Sequence, residues 1–320
     1  MQARIDLQNM LGQVWVQKPE LQALESVVIK ELIHCEILWA LDRKGFLDQL
    51  TFHGGTALRL CFGANRLSED LDFAGGPDFT RKDVDGISEV LRTHLTRRYG
   101  LEVTVKEPKP RKKEGPAVAV DTWQISVVTN PQQKHLPRQR IKIDIATMES
   151  RSRDLHSLRS NYAVLPSGFD DLLVPAMSQE EIMANKIVYL PVAVNRNRIR
   201  FRDIWDIAWL DRRGIQTNHE WITGRIGEFG IEDFGERVKA MRQMLQQAET
   251  QTRFREEMAR FLPLDVITRT IDRPEYMSHV IRTVDGRLAE STSNIGTPEN
   301  SNGSSQDTDL YRGASDPSPF

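Results

Sequence analysis

The feature that most constrains the fold is a glycine pair, Gly54-Gly55, between a strand-like segment at 47–53 and a helix predicted at 57–62. Glycines at a strand-to-helix turn let backbone N–H groups approach an anion, and the N-terminus of the helix favours negative charge. Thr56 is a suitable N-cap for that helix. Many strands end in such a turn, so the pair alone does not identify a phosphate site. The chain has no GxxxxGK[ST] motif, which excludes a P-loop.

Two aspartates, Asp70 and Asp72, stand at i, i+2 around the strand predicted at 71–73. Residues at this spacing on a strand point the same way, with Cα atoms roughly 6.6–6.8 Å apart. Both carboxylates can therefore close on a hard cation such as Mg²⁺. Two solvated acids on a surface strand would give the same pattern. The apolar Leu71 and Phe73 on the other side favour a buried strand whose acids line one edge.

A third acid, Asp144, lies in the strictly alternating segment 140–146. Three isoleucines take one face of this predicted strand, and Lys142 and Asp144 share the other. If the strand pairs beside 71–73, Asp144 joins the two earlier aspartates. Three clustered carboxylates repel one another unless cations neutralise them, and a two-metal centre for displacement at phosphorus fits that arrangement. Asp144 could equally be a sheet-edge residue paired with Lys142.

The combination of a Gly-Gly turn, an Asp-x-Asp pair and an acid on a later strand resembles the nucleotidyltransferase superfamily. More closely, the segments 54–60 and 66–73 resemble the signature of the AbiEii/AbiGii (MenT-like) toxin family. Residues 180–186 resemble that family's helix with an essential lysine, and Arg202-Asp203-Ile204-Trp205-Asp206 resembles its RDxxD segment. The resemblance covers about residues 50–210, with four motifs in the family's order.

The resemblance implies an α+β fold, with a nucleotidyltransferase-type mixed sheet followed by a C-terminal helical domain. It also implies the roles of the site residues. The implied ligands of Mg²⁺ (or Mn²⁺) are Asp70, Asp72 and Asp144. The implied nucleotide-binding residues, which hold the triphosphate of an NTP, are Gly54, Gly55, Thr56, Arg66, Ser68 and Lys186.

Lys186 lies on a predicted helix at 178–190, beside Ile182 and Tyr189. From a partly apolar face a long ammonium can reach a phosphate, although a surface lysine covering the core would show the same pattern. Asp203 and Asp206 are i, i+3 neighbours on the next helix. They could orient Lys186, bind an acceptor or pair with Arg202. We expect a supporting role for Arg202 and both aspartates.

The arginines at 196, 198 and 200 directly precede this segment. In an extended chain, residues at i, i+2 share one face, so we expect Arg196, Arg198 and Arg200 to bind the phosphates of an acceptor. A solvated basic face is the alternative, since runs of charge are usually solvated.

The family resemblance implies a Mg²⁺-dependent nucleotidyltransferase toxin that transfers nucleotide from an NTP to RNA, with the 3′ end of tRNA as the acceptor. Such an enzyme would arrest growth in a toxin–antitoxin or abortive-infection system, with a cognate antitoxin encoded nearby as its partner. Two alternatives stay open from the residues. One is transfer to a small molecule or a protein hydroxyl, and the other is a non-catalytic nucleotide-binding module.

Periodicity and turn residues divide the 320 residues into three regions: an α/β core with an N-terminal helix over 1–174, a helical domain over 175–290 and a disordered acidic tail over 291–320. The tail carries almost no apolar residues. Helices are predicted at 21–44, 81–98, 178–190, 201–213, 232–248 and 252–261, and further strands at 101–106 and 121–129.

Composition is that of an ordinary globular protein, with 39% apolar and 28% charged residues and a net charge of −2. Two cysteines and seven scattered histidines do not give the spacing of a zinc site. No run of eighteen apolar residues and no apolar signal core is present, so we expect no membrane segment and a cytoplasmic location.

Overall fold

The computed structural model describes residues 4–110, 117–132, 137–165, 168–169, 171–194 and 199–293. In these residues the chain forms one mixed seven-stranded sheet and a set of α-helices, which confirms the predicted α+β class. The strands are β1 (Thr51–His53), β2 (Leu71–Ala74), β3 (Val103–Lys106), β4 (Val120–Val127), β5 (Gln139–Ala146), β6 (Asp154–Ser157) and β7 (Leu173–Ala176). The helices are α1 (Leu7–Gln17), α2 (Glu25–Asp42), α3 (Gly54–Leu60), α4 (Ile87–Tyr99), α5 (Gln179–Val192), α6 (Phe201–Arg212), α7 (His219–Glu228), α8 (Phe234–Leu245), α9 (Ala248–Met258), α10 (Leu264–Arg269) and α11 (Pro274–Ser293).

The sheet has the order β3-β4-β5-β2-β1-β7-β6. The pairs β2–β5 and β1–β7 are parallel, and the other neighbours are antiparallel. Since β2 and β5 are parallel, the chain between them must cross over. Helix α4 and the β3–β4 hairpin form that crossover. The strands with the predicted acids are therefore neighbours at the centre of the sheet.

Alternation along the central strands separates an apolar face from a polar one. Ile143 and Ile145 on β5 and Leu71 and Phe73 on β2 are fully buried, as strict alternation requires of a half-buried strand. The buried face packs against α2, which contacts both β5 and α4. Phe73 also packs on Phe52 of β1, with 5.2 Å between the ring centroids. This core fixes the register and leaves the acids on the opposite face.

The C-terminal region is helical, with α5 at its centre in contact with α6, α7 and α8. Ser178 caps α5 by accepting a hydrogen bond from the backbone N–H of Glu181. Helix α3 contacts both β2 and α6, which joins the glycine turn to the helical region. No helix in the described residues is long and apolar enough to cross a membrane.

Several predicted boundaries differ from the structure. The segment predicted as a strand at 47–53 pairs only from Thr51, because 46–48 forms a 3-10 turn after Gly45, whose φ is 72°. The predicted helix at 81–98 is interrupted at Gly86, whose φ of 78° is left-handed. Thr56 is not an N-cap, because α3 begins at Gly54 and encloses it.

The predicted region boundary at 174/175 falls inside β7, whose Ala176 pairs with Phe52 of β1. The sheet therefore extends past that boundary, and a division of the chain into two domains stays a prediction. The predicted start of the acidic tail at 291 is also displaced, since α11 continues to Ser293 and Ser291 is buried. The rest of the predicted tail, 294–320, lies outside the described residues.

Candidate active site

The register of three strands brings the predicted acids together. Asp72 on β2 is the direct partner of Asp144 on β5, and His53 of β1 is the partner of Asp72 on the other side. Thr122 of β4 is the partner of Asp144. The pairing of 140–146 beside 71–73, on which the role of Asp144 depended, is therefore confirmed. Asp144 is not at a sheet edge.

The two paired carboxylates carry uncompensated negative charge. Burial, together with the charges of Asp144 and Asp70, raises the pKa of Asp72 to about 6. Burial also raises the pKa of Asp144, although the hydroxyl of Thr122 opposes the shift by donating a hydrogen bond of 2.5 Å to its carboxylate. Oxygen ligands at this charge density are those that Mg²⁺ prefers, because the cation relieves their repulsion.

Asp70 is placed just before β2 instead of within it. Its carboxylate accepts a hydrogen bond of 3.0 Å from the backbone N–H of Lys142, and its carbonyl accepts one of 2.5 Å from the hydroxyl of Thr56. Thr56 therefore fixes the loop before β2. In the described part of the chain, no three His, Cys, Asp or Glu side chains converge closely enough to hold a metal ion. The paired Asp72 and Asp144 fit a divalent cation by their chemistry, and Asp70 lies beside them with its carboxylate turned toward β5.

Both glycines of the turn are required by close contacts. Gly54 has a φ of 77°, and a Cβ at this position would lie 2.5 Å from Oδ2 of Asp72. A Cβ on Gly55 would lie 2.1 Å from Nη2 of Arg66. The first turn of α3 therefore packs directly against the carboxylate of Asp72 and the guanidinium of Arg66. This contact places the backbone N–H groups of the turn beside Asp72.

Arg66 was predicted to bind nucleotide, but the structure places it below the turn. Its side chain is 3% exposed, and its Nε and Nη2 each donate a hydrogen bond of 2.5 Å to Asp206. Nη1 donates to the carbonyl of Leu67 at 3.0 Å. This bidentate buried pair holds the guanidinium beneath the turn, and nucleotide binding by Arg66 stays a prediction. Arg66 joins the glycine turn to α6.

Lys186 of α5 lies in the same buried network. Its Nζ is 2.8 Å from Asp203 and 2.7 Å from Asp206, and its side chain is 6% exposed. Burial alone would raise the pKa of Asp203, but Arg200 and Lys186 hold it far below its ordinary range. Burial would also raise the pKa of Asp206, but the charges of Arg66 and Lys186 lower it below its ordinary value. Both aspartates orient Lys186, and its charge is close enough to lower the pKa of Asp72.

Of the predicted acceptor arginines, the structure describes Arg200. Arg196 and Arg198 lie outside the described residues. Nε of Arg200 donates a hydrogen bond to Asp203, and its charge lowers the pKa of Asp72. Arg202 lies 3.8 Å from Glu69 instead. The predicted start of a helix at residue 201 is confirmed, because α6 begins there, and acceptor binding by Arg196, Arg198 and Arg200 stays a prediction.

Ser68 is buried in the loop before β2. Three further residues at the site were not predicted. Burial and the charges of Arg225 and Lys186 lower the pKa of His53 to about 3, so its imidazole is neutral beside Asp72. The guanidinium carbon of Arg200 lies over the ring of Tyr189, 5.8 Å from the ring centroid. The position of His53 directly before the glycine pair was the only sequence signal, whereas the contacts of Arg225 and Tyr189 arise from packing.

Comparisons with known proteins bear on the family and the fold of the chain. The family model described as nucleotidyl transferase AbiEii toxin, type IV toxin–antitoxin system, matches residues 36–274. The fold is similar to MenT4, a nucleotidyltransferase toxin from Mycobacterium tuberculosis H37Rv, with 17% identity, 90% of each chain covered and a TM-score of 0.58. JHP933 from Helicobacter pylori matches with 16% identity and a TM-score of 0.40, over 83% of this chain and 94% of that chain. No curated protein matches the sequence.

The family match spans the glycine turn, the paired aspartates and the network around Lys186. The structural similarity to MenT4 shows the same fold. The resemblance seen in the sequence is thereby confirmed. The chain belongs to the AbiEii family of nucleotidyltransferase toxins and is a nucleotidyltransferase.

Proposed function

We propose that this toxin is a Mg²⁺-dependent enzyme (with Mn²⁺ as an alternative metal) that transfers a nucleotide from an NTP to RNA, with the 3′ end of tRNA as the acceptor. The observation that carries the proposal is the register of Asp72 and Asp144, two half-buried carboxylates side by side on parallel strands. The glycine turn packs on one of them. Metal-assisted displacement at phosphorus needs carboxylates and a phosphate cradle in this proximity.

Asp72 and Asp144 would hold Mg²⁺, with Asp70 as the third ligand after its carboxylate turns from Lys142. When bound, the metal supplies positive charge to the phosphates during displacement and neutralises the repulsion between the carboxylates. In the transfer, the oxygen of the acceptor hydroxyl forms a bond to the α-phosphorus. The bond from that phosphorus to pyrophosphate breaks, and the proton of the hydroxyl leaves to solvent.

The protein groups around the acids would bind the rest of the NTP. Backbone N–H groups of Gly54, Gly55 and Thr56 face the anion at the start of α3. Lys186, which is held at the site by two aspartates, would neutralise charge on the β- and γ-phosphates. Arg200 lies on the same side of the site and belongs with this group.

The biological role follows from the family, which is a toxin of type IV toxin–antitoxin systems. The family implies a cognate antitoxin, which we propose is encoded nearby. Modification of the 3′ end of tRNA would arrest translation, so the toxin would act in the cytoplasm and defend against phage by stopping growth of the host. These points rest on the family and not on the geometry of the site.

The acceptor class can be tested by expression in a bacterium of the wild type beside Asp72→Asn. Growth and incorporation of an α-labelled nucleotide into total RNA are followed together. Growth arrest with labelled tRNA in the wild type alone would support the proposal. Label in a small molecule or a protein would assign another acceptor, and absence of label from every acceptor would favour a non-catalytic nucleotide-binding module.

A further inference from the structure

Two arginines at the start of α6 point to different parts of the molecule. Arg200 contacts Asp203 on the side of Lys186 and Tyr189. Arg202 lies over the ring of Phe261, 4.8 Å from its centroid, and faces α9. The first belongs to the buried network of the nucleotide site, whereas the second lies outside it. The segment therefore supplies cations to two surfaces.

Arg202 forms a surface with two arginines of the neighbouring chain segment. Arg260 lies over the same Phe261 ring at 5.5 Å, and Arg253 lies over the ring of Phe201 at 5.6 Å. We call Arg202, Arg253 and Arg260 the arginine strip. Arg260 is 61% exposed and Arg202 is 31% exposed, so both guanidinium groups are open to solvent. Aromatic rings under guanidinium groups hold them in place without satisfying their N–H donors.

Two carboxylates face the strip. Glu257 lies 3.1 Å from Arg260 and 3.9 Å from Arg202, and Glu69 lies 3.8 Å from Arg202 and 4.0 Å from Arg260. Glu69 is already paired with Lys30 at 2.6 Å. Burial would raise its pKa, but Lys30 and the strip arginines hold that pKa below its ordinary value. Lys30 and Glu69 neutralise each other's charge. The three arginines of the strip then face one further carboxylate, that of Glu257. Most of the nitrogen–oxygen distances between the strip and the two carboxylates are long.

The strip begins beside the catalytic acids, because Glu69 directly precedes Asp70. We propose that the arginine strip binds backbone phosphates of the acceptor RNA next to its reacting end, an inference that rests on the proposed function. Lys186 and Arg200, which both pair with Asp203, serve the triphosphate, and the strip serves the acceptor strand. Guanidinium groups bind phosphate oxygens in bidentate fashion, and a phosphate would replace the 3.9 Å contact between Arg202 and Glu257.

The test measures binding of the full-length protein to a fluorescein-labelled single-stranded RNA of 20 nucleotides by anisotropy, without NTP, at several KCl concentrations. The variant is Arg202→Ala/Arg260→Ala. The control is Arg255→Ala, which removes an exposed arginine of α9 that pairs with Asp272 instead. We expect a loss of about tenfold or more in RNA affinity for the variant only. The slope of log K against log [KCl] should fall by about 1.4, at about 0.7 for each lost phosphate contact.

The outcomes separate the inference from the proposed function. If the wild type binds this RNA and the double variant binds it equally well with the same slope, the strip is not the acceptor surface although RNA remains the acceptor. If the wild type does not bind RNA, both the acceptor proposal and this inference fail. Equal losses in the variant and in the Arg255→Ala control would show only a general effect of charge, and would also overturn the assignment. Circular dichroism of each variant confirms that it is folded.

Discussion

Replacement of Gly55 by alanine tests whether the glycine turn is held by the buried network beneath it. The new Cβ would lie 2.1 Å from Nη2 of Arg66, where ordinary contact begins at 3.4 Å. The guanidinium must therefore move by about 1.3 Å. Its bonds to Asp206 tolerate far less, because hydrogen bonds between nitrogen and oxygen span roughly 2.7–3.2 Å. Gly55→Ala should separate Arg66 from Asp206.

The size of the effect follows from burial. Breaking a buried ion pair so that one charge is left without its partner lowers the free energy of unfolding by about 3–5 kcal/mol. Lys186 stays 2.7 Å from Asp206, so we expect the lower end, about 3 kcal/mol of lost unfolding free energy. Alanine in place of glycine in a helix offsets at most about 1 kcal/mol. Urea unfolding followed by tryptophan fluorescence measures this difference.

The background of Arg66→Ala provides the control. With the guanidinium removed, the three nearest atoms to the new Cβ are gone, since all three belong to Arg66. In that background Gly55→Ala should stabilise the protein by up to about 1 kcal/mol, through helix propensity alone. The sign of the substitution should thus reverse between the two backgrounds. Equal destabilisation in both would refute the account of the turn.

Three further predictions concern the charges and the C-terminal segment. In metal-free protein, Asp72→Asn should raise the unfolding free energy by about 3 kcal/mol above pH 6, because the pKa of Asp72 lies about two units above its ordinary value and each unit is about 1.4 kcal/mol. The raised pKa of about 6 means that the carboxyl destabilises the fold at high pH, and this difference should disappear as the pH falls to about 4. Lys186→Met should cost about 3 kcal/mol because it leaves Asp203 and Asp206 buried together, and a change below about 1 kcal/mol would show that Arg66 and Arg200 alone stabilise them. Truncation after Ser293 should leave the melting temperature and transfer activity unchanged, since 294–320 offers little apolar surface, and a loss of either would show that the segment packs.

The local sequence pattern predicted two parts of the site: the strand that carries Asp144 and the glycine turn beside Asp72. The isoleucines of 140–146 specified both the strand and the face on which Asp144 lies, and the glycine pair located the turn beside Asp72. Placement of β5 beside β2 was a conditional prediction, because pairing partners of parallel strands are distant in sequence.

The ion network could not be predicted from local pattern. Arg66 and Asp206 are 140 residues apart, and their contact depends on how α6 packs against α3. A motif that contains an arginine near phosphate-binding glycines suggests a ligand contact, but it gives no sign of the buried ion pair with Asp206. The divergence of Arg200 and Arg202 was not predicted either, although the helix predicted at 201–213 begins at the same residue as α6.

The central claim is that Asp72 and Asp144 form one metal-dependent site for nucleotide transfer. Its most direct test is the initial rate of transfer from α-labelled NTP to RNA in vitro, with and without Mg²⁺. The variants compared are Asp72→Asn and Asp144→Asn, with Asp154→Asn as a matched exposed control on β6. We expect a fall of at least about a thousandfold in each site variant, since each 1.4 kcal/mol of lost transition-state stabilisation is tenfold in rate. The control should keep the wild-type rate. Wild-type rates in Asp72→Asn or Asp144→Asn, or transfer that continues without any divalent cation, would contradict the account.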